Sequence, residues 1–274
     1  MIENVVKSRN NQRSFWIFGG ILSLLLVAGC VTTTTIDGSA QQPKVDQEKA
    51  LDTRLQLAIG YLGKGDHERA REHLYKAMKI NSRSAELQDV WALLYQQEME
   101  LETAESYYKK ALSYDPEFTR GRNNYGLFLF RSGRVEEAHH QFVKGAEDLD
   151  YPKRAELLYK VGVTALKLGH PKEAEKVFIK AAILRPSMSE AYLELAEIFY
   201  NRTDYPRSRQ LLDRYNETKQ KVSPRGLWLG IRIENSVGNQ NAEASQGMAL
   251  KNLFPDSQEN QEYQSWLKNE RKKP

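Results

Sequence analysis

The residue with the most distinctive chemistry in this chain is its one cysteine, Cys30. A single thiol can build neither an intramolecular disulfide nor a thiolate zinc cluster, so its surroundings decide its use. Lys7, Arg9 and Arg13 precede an apolar run from Phe15 to Ala28, and the small residues Ala28 and Gly29 stand immediately before the thiol. Basic residues, a short apolar run and a small-residue site make a secretion signal. The run is too short to cross a bilayer, which takes roughly 20 residues, so a permanent membrane-spanning helix is not expected. The cleavage site is unusual in that the thiol stands directly after its small residues.

Nothing else in the chain has the makings of a catalytic centre. The five histidines, His67, His73, His139, His140 and His170, lack the spacing of a helical metalloprotease motif. His139 and His140 are adjacent, so on a helix they point about 100° apart and cannot share a ligand on one face; all five are expected at the surface. No phosphate-binding loop, Gly-x-Ser-x-Gly elbow or second thiol is present. Glu136 and Glu137 read as part of a solvated, helix-favouring face. The expectation is a protein that is not an enzyme, with no metal, no small-molecule substrate and no cofactor. The formal net charge is +4. Lys7, Arg9 and Arg13 against Glu3 account for +2 of this, leaving +2 for the rest, and no nucleic-acid partner is implied.

The elements that position these residues follow from periodicity. Between Ala85 and Pro116, first Trp91, Ala92 and Tyr95 and then Ala104, Tyr108 and Ala111 recur at three- and four-residue intervals before Asp115-Pro116 ends the run. These are two short amphipathic helices and a breaker. Small side chains let the helix backbones approach, and the rings fill the space beside them. The pattern recurs at Ala70, Ala104 and Ala138, 34 residues apart, each followed four residues later by Leu74, Tyr108 or Phe142. Tyr61, Tyr95 and Leu129 share one position of the first helix, and Gly65 and Gly133 one position of the turn. After a two-residue insertion around Asp150-Tyr151-Pro152 come two more units, through Gly162, Ala174 and Phe178 and then Ala196, Ser208 and Leu212. A degenerate sixth runs from Leu229 to Pro255. Helix pairs at this period resemble the tetratricopeptide repeat. The predicted fold is therefore all-α, a right-handed superhelical solenoid of tetratricopeptide hairpins in which each hairpin contacts only its neighbours.

Four segments follow. Residues 1–29 are the signal peptide. Residues 30–49 are the lipidated N-terminus and a flexible tether, because Thr32 to Thr35, Gly38, Ser39, Gln41, Gln42 and Pro43 offer too little apolar surface for a core. Residues 50–255 form the solenoid of about six repeats. Residues 256–274 form a capping helix bearing Tyr263, Trp266 and Leu267, with a basic tail that includes Lys268, Arg271, Lys272 and Lys273. A solenoid end needs such a cover because it otherwise exposes core-like surface.

First helices of such hairpins line the concave surface, which makes a groove the candidate binding site. The first repeat contributes Leu55, Ile59 and Leu62, the second Leu93, the third Asn123, Leu127 and Phe130, the fourth Tyr159 and Leu166, and the fifth Tyr200. An apolar stripe of this length would mark a protein-binding surface. Leu55, Ile59 and Leu62 are expected to form a second, unpartnered apolar face, with Leu57, Ala58 and Tyr61 taking the packing positions of the same helix.

Two resemblances add to this reading. Leu26-Val27-Ala28-Gly29-Cys30 resembles the bacterial lipobox, in which the thiol takes a diacylglycerol and the new N-terminus is acylated. Val31 in place of the aspartate of enteric inner-membrane retention implies the periplasmic face of the outer membrane. The run Arg122-Asn123-Asn124-Tyr125-Gly126-Leu127-Phe128-Leu129 is similar to the type IV pilus biogenesis and stability lipoproteins of the PilF/PilW family. So are Tyr151-Pro152-x-Arg154, Leu229-Gly230-Ile231-Arg232 and Leu253-Phe254-Pro255-Asp256-Ser257. That resemblance implies a pilotin, a lipid-anchored outer-membrane protein that helps the secretin PilQ localise and multimerise. The alternative is an envelope adaptor for peptidoglycan-remodelling enzymes, a role other lipid-anchored tetratricopeptide proteins fill.

Overall fold

The computed structural model describes residues 44–219 and 221–270. The expected signal peptide, Cys30 and the tether up to residue 43 lie outside the described residues, as do Arg271, Lys272 and Lys273 of the basic tail. Among the described residues there are thirteen helices and no strand: α1 (Lys44–Leu62), α2 (His67–Ile80), α3 (Ala85–Gln97), α4 (Leu101–Tyr114), α5 (Thr119–Arg131), α6 (Val135–Ala146), α7 (Arg154–Lys167), α8 (Pro171–Leu184), α9 (Ser189–Asn201), α10 (Tyr205–Thr218), α11 (Pro224–Ser236), α12 (Gln240–Leu253) and α13 (Gln258–Glu270). Each odd helix up to α11 packs on the even helix that follows, and α13 lies against α11 and α12. The fold is a solenoid of tetratricopeptide hairpins. Residues 44–49, expected as tether, are the first turns of α1. Asp46 in that first turn suits the positive end of the helix dipole.

Size matching between helices holds each of the first five hairpins together. Ala70, Ala104, Ala138, Ala174 and Ser208 recur on the second helices with no exposed surface, and Leu74, Tyr108, Phe142, Phe178 and Leu212 follow each four residues on, all buried. On the first helices the facing position is small every time: Ala58, Ala92, Gly126, Gly162 and Ala196. The glycines stand where the second helix carries phenylalanine. A Cβ on Gly126 would sit 2.5 Å from the Phe142 ring and one on Gly162 2.4 Å from the Phe178 ring.

The turns inside the hairpins share one conformation. Gly65, Met99, Gly133, Gly169, Thr203 and Gly238 occupy equivalent places, and all six have φ between 62 and 78°. Left-handed backbone costs a side-chain-bearing residue roughly 1–2 kcal/mol, a cost glycine escapes. Met99 is 75% exposed, so its side chain buries little. Met99→Gly is therefore expected to raise the unfolding free energy by about 1 kcal/mol, offset in part by the greater entropy of glycine in the unfolded chain. Chemical denaturation of the two proteins checks the sign.

Between hairpins, arginines of second helices or turns reach carboxylates one hairpin away. Arg71 donates to both oxygens of Glu98 at 2.6 and 2.7 Å, Arg134 to Glu105 at 2.7 Å, and Arg209 to Glu234. The linker from residue 147 to 153 absorbs the insertion and leaves Leu149 72% exposed. At the C-terminal end Trp228 of α11 meets Tyr263 and Trp266 of α13, with ring centroids 5.9 and 6.1 Å apart, and Tyr263 is buried.

Two expectations need correction. Leu55 and Leu62 are 4% and 5% exposed and belong to the first core cluster with Leu74, Leu87 and Trp91, whereas Leu57 is 40% exposed. The physical reason is that α1 touches both α2 and α3, so its apolar stripe through Leu51, Leu55, Ala58 and Leu62 is consumed by two neighbours. Leu55→Glu is accordingly expected to lower the melting temperature of the first hairpin rather than to act on binding alone, which circular dichroism would register. The second concerns His139, which is not a free surface residue. Its Nδ1 lies 2.8 Å from Thr164 Oγ1 of α7 and its Nε2 3.3 Å from a Glu173 oxygen of α8, tying α6 to the next hairpin.

Candidate functional site on the concave face

First helices touch the first helices of neighbouring hairpins (α1 with α3, α3 with α5, α9 with α11), while successive second helices make no comparable contact. The stack therefore curves with its odd-numbered helices on the inside. Along this concave face runs a row of half-buried apolar side chains one repeat apart: Ile59, Leu93, Leu127 and Val163. The row ends in charge, because the next two positions are Glu197 and Arg232, which pair at 3.0 Å. A second half-buried row, one turn further along the helices, holds Phe130, Leu166 and Tyr200. Its place on α3 is taken by Gln96, whose Oε1 accepts from the buried Tyr108 hydroxyl at 2.9 Å.

Of the residues expected in the groove, Ile59, Leu93, Leu127, Phe130, Leu166 and Tyr200 thus lie in two rows on one face. Leu55 and Leu62 do not join them. Asn123 and Tyr159 belong instead to two polar networks that stitch the first helices together. In one, Lys160 Nζ of α7 donates to Asn123 Oδ1 at 2.6 Å, Asn123 donates to Asn124 at 3.2 Å, and Asn124 Nδ2 donates to both oxygens of Asp89 on α3 at 2.9 and 3.2 Å. In the other, Arg225 of α11 donates to both oxygens of Glu194 on α9 at 2.6 and 2.9 Å, and the Tyr159 hydroxyl of α7 approaches Glu194 at 3.5 Å. Lys160, Glu194 and Arg225 did not stand out in the sequence, and Asn124 did so only as part of the run from Arg122 to Leu129. The signal was available in their spacing, since each pair lies close to one repeat apart.

Burial sets the electrostatics of the first network. Asp89 is 1% exposed, and burial pushes its carboxyl up to about 6 against the opposing pull of Arg120 and the Asn124 amide. Burial likewise lowers Lys160 and raises Tyr159 to about 12. Because Asp89 binds its proton more tightly in the folded chain, its contribution to stability is full below about pH 4 and is lost as pH rises to about 6. Asp89→Asn removes that loss while keeping an oxygen to accept from Asn124. The variant is expected to gain on the parent by about 1–3 kcal/mol between pH 4 and 7. Urea denaturation at successive pH values, compared as a difference, isolates this group from the other carboxylates.

Each residue of the run from Arg122 to Leu129 has a place in the stack. Arg122 donates to the Pro116 carbonyl at 2.5 Å and to Gln141 at 3.1 Å, Asn123 and Asn124 bridge repeats, and the Tyr125 hydroxyl donates to Glu105 at 2.8 Å. Gly126 admits Phe142, Leu127 lies on the concave row, and Phe128 and Leu129 are core. Among the described residues no group of three or more potential ligands is placed to hold a metal ion, and no described helix is long and apolar enough to cross a membrane.

A stack of helix hairpins with a continuous concave row defines a tetratricopeptide-repeat protein, and the tetratricopeptide repeat family model matches residues 90–150 and 159–220. The type IV pilus assembly protein PilF of Pseudomonas aeruginosa strain PAO1 is 34% identical over 241 residues, 87% of this chain and 94% of that protein. The solved structure of P. aeruginosa PilF superposes with a TM-score of 0.72 at 34% identity, over 80% of this chain and 99% of that one. PilW, described as a widely conserved type IV pilus biogenesis factor, gives a TM-score of 0.66 at 25% identity, over 78% and 98%. The chain belongs to the PilF/PilW family of type IV pilus biogenesis tetratricopeptide proteins.

Proposed function

We propose that this chain is a non-catalytic pilotin: a lipoprotein held by Cys30 on the periplasmic face of the outer membrane, whose concave face binds the secretin PilQ and promotes its localisation and multimerisation. The observation that carries the reading is the half-buried row Ile59, Leu93, Leu127 and Val163 in a member of a pilus-biogenesis family. Four apolar side chains at one-repeat intervals present an elongated surface suited to an extended or helical segment of a partner. Being half-buried already, each contributes roughly 1 kcal/mol of further apolar transfer when covered, before the cost of association. In a strain lacking the gene, secretin multimers should be absent from the outer membrane and be restored by the full chain. Leu93→Gln combined with Leu127→Gln should restore them poorly while the purified variant still melts cooperatively. Normal secretin multimers without the chain would overturn the reading in favour of an envelope adaptor.

A further inference from the structure

A cleft of about 900 Å³ opens at the N-terminal end of the concave face, between the exposed side of α1 and the linkers that join the first four hairpins. Its walls carry Glu48 and Asp52 on α1, Glu86 at the start of α3, Asp115 and Glu117 before α5, and Asp148 before α7, against one cation, Arg120. Ion pairs are abundant elsewhere on this chain. Yet Asp52, Glu86, Asp115, Glu117 and Asp148 make none with any described side chain, and Arg120 is directed at the buried Asp89, 3.9 Å away. The floor is apolar, made by Leu51, Ile59, Phe118 and Tyr151, all half-buried.

We propose that this cleft takes a basic, extended polypeptide segment of the protein partner, one in which lysine or arginine side chains flank leucine or aromatic ones. The inference rests on the reading of the concave face as a protein-binding surface and names the chemistry of the segment bound there. The carboxylates are distributed over four structural elements and do not converge as metal ligands. They therefore match separate positive charges spaced along a chain, while the floor covers the apolar side chains between them. Nucleic acid and anionic lipid headgroups are repelled by the same field. Glu86 and Asp148 accept hydrogen bonds from the Ser84 and Thr119 hydroxyls, and Asp115 from the Glu117 amide. These neutral donors leave the negative charge uncompensated, so both walls also discriminate against acidic segments, since like charges brought together on binding are costly.

The test uses the full-length protein in detergent and fluorescence anisotropy with a labelled peptide of alternating lysine and leucine, beside a counterpart with glutamate for lysine. The basic peptide should bind and the acidic one should not. Asp52→Lys combined with Glu117→Lys should weaken binding about tenfold or more. Glu102→Lys combined with Glu136→Lys, an equal charge change at exposed sites on second helices, should leave it within about twofold. No binding, unchanged binding in the first variant, or equal loss in both variants overturns the proposal. Secretin capture by the same proteins separates the two readings. Loss with Leu93→Gln/Leu127→Gln but not with Asp52→Lys/Glu117→Lys sinks only the basic-segment inference, whereas capture unaffected by either sinks the protein-binding face itself.

Discussion

Phe178→Ala is expected to lower the unfolding free energy by about 3–5 kcal/mol, the cost of deleting a fully buried ring. Phe178 has no exposed surface, and its ring lies over Gly162 with Tyr159 beside it at a centroid distance of 5.6 Å. Solenoid neighbours stabilise each other through their interfaces, so a void in the fourth hairpin weakens its contacts on both sides. Gly162→Ala attacks the same pair from the other helix, since its Cβ would lie 2.4 Å from the ring. Overpacking of that kind costs about 1–3 kcal/mol. Other hairpins of this chain solve the same position with alanine opposite leucine, as in Ala58 with Leu74 and Ala196 with Leu212. Gly162→Ala combined with Phe178→Leu should therefore lose clearly less than the sum of the two single changes, by at least about 1 kcal/mol. Equilibrium unfolding in urea of the four proteins closes the cycle. Strict additivity would show that glycine and phenylalanine at these positions are not a matched pair.

Cys30→Ser is expected to abolish membrane attachment without unfolding the repeats. Under the proposed lipidation the thiol carries a diacylglycerol and the new α-amino group a further acyl chain, palmitate or similar. Each buried methylene contributes about 0.8 kcal/mol, so three chains hold far more firmly than the marginal anchoring of one. Serine cannot form the thioether, and the protein should move from the membrane to the soluble fraction. The helical circular dichroism should remain, because residue 30 precedes α1, which begins at Lys44. Secretin multimers should then fail or mislocalise, since location is what the lipid supplies. Mass spectrometry of the parent protein provides the complementary check: a mature N-terminus at residue 30 with the mass of a lipid, against an intact Met1 if the segment is retained.

The sequence by itself determined the architecture. A period of 34 residues in small and large side chains has one economical solution, a helix hairpin repeated and stacked. The positions that set it, Ala70 with Leu74, Ala104 with Tyr108 and Ala138 with Phe142, are buried as their spacing requires. Local rules suffice here because both partners of each contact lie within one short hairpin, and a helix fixes which residues share a face. The family was legible too, since Arg122 to Leu129 combines a turn clamp, two repeat-bridging amides, a glycine under a ring and core residues in one run.

The candidate binding face was legible only in part, and the reason is geometric. Ile59, Leu93, Leu127, Phe130, Leu166 and Tyr200 do share the inner surface, but periodicity within α1 cannot tell which of its apolar residues meets α2, which meets α3 and which is left to solvent. Only the packing of three helices decided that Leu55 and Leu62 are core and Leu57 is exposed. The long-range polar contacts offered only a weak signal, a spacing near one repeat, which does not say which polar residues will meet. His139 finds Thr164 and Glu173 in the next hairpin, and Asp89 finds Asn124 and, through it, Lys160, because stacking sets side chains a full repeat apart against each other. The acidic cleft is the extreme case: residues from α1 and three separate linkers become one surface only when the hairpins curve, and curvature is a property of the stack rather than of any one repeat.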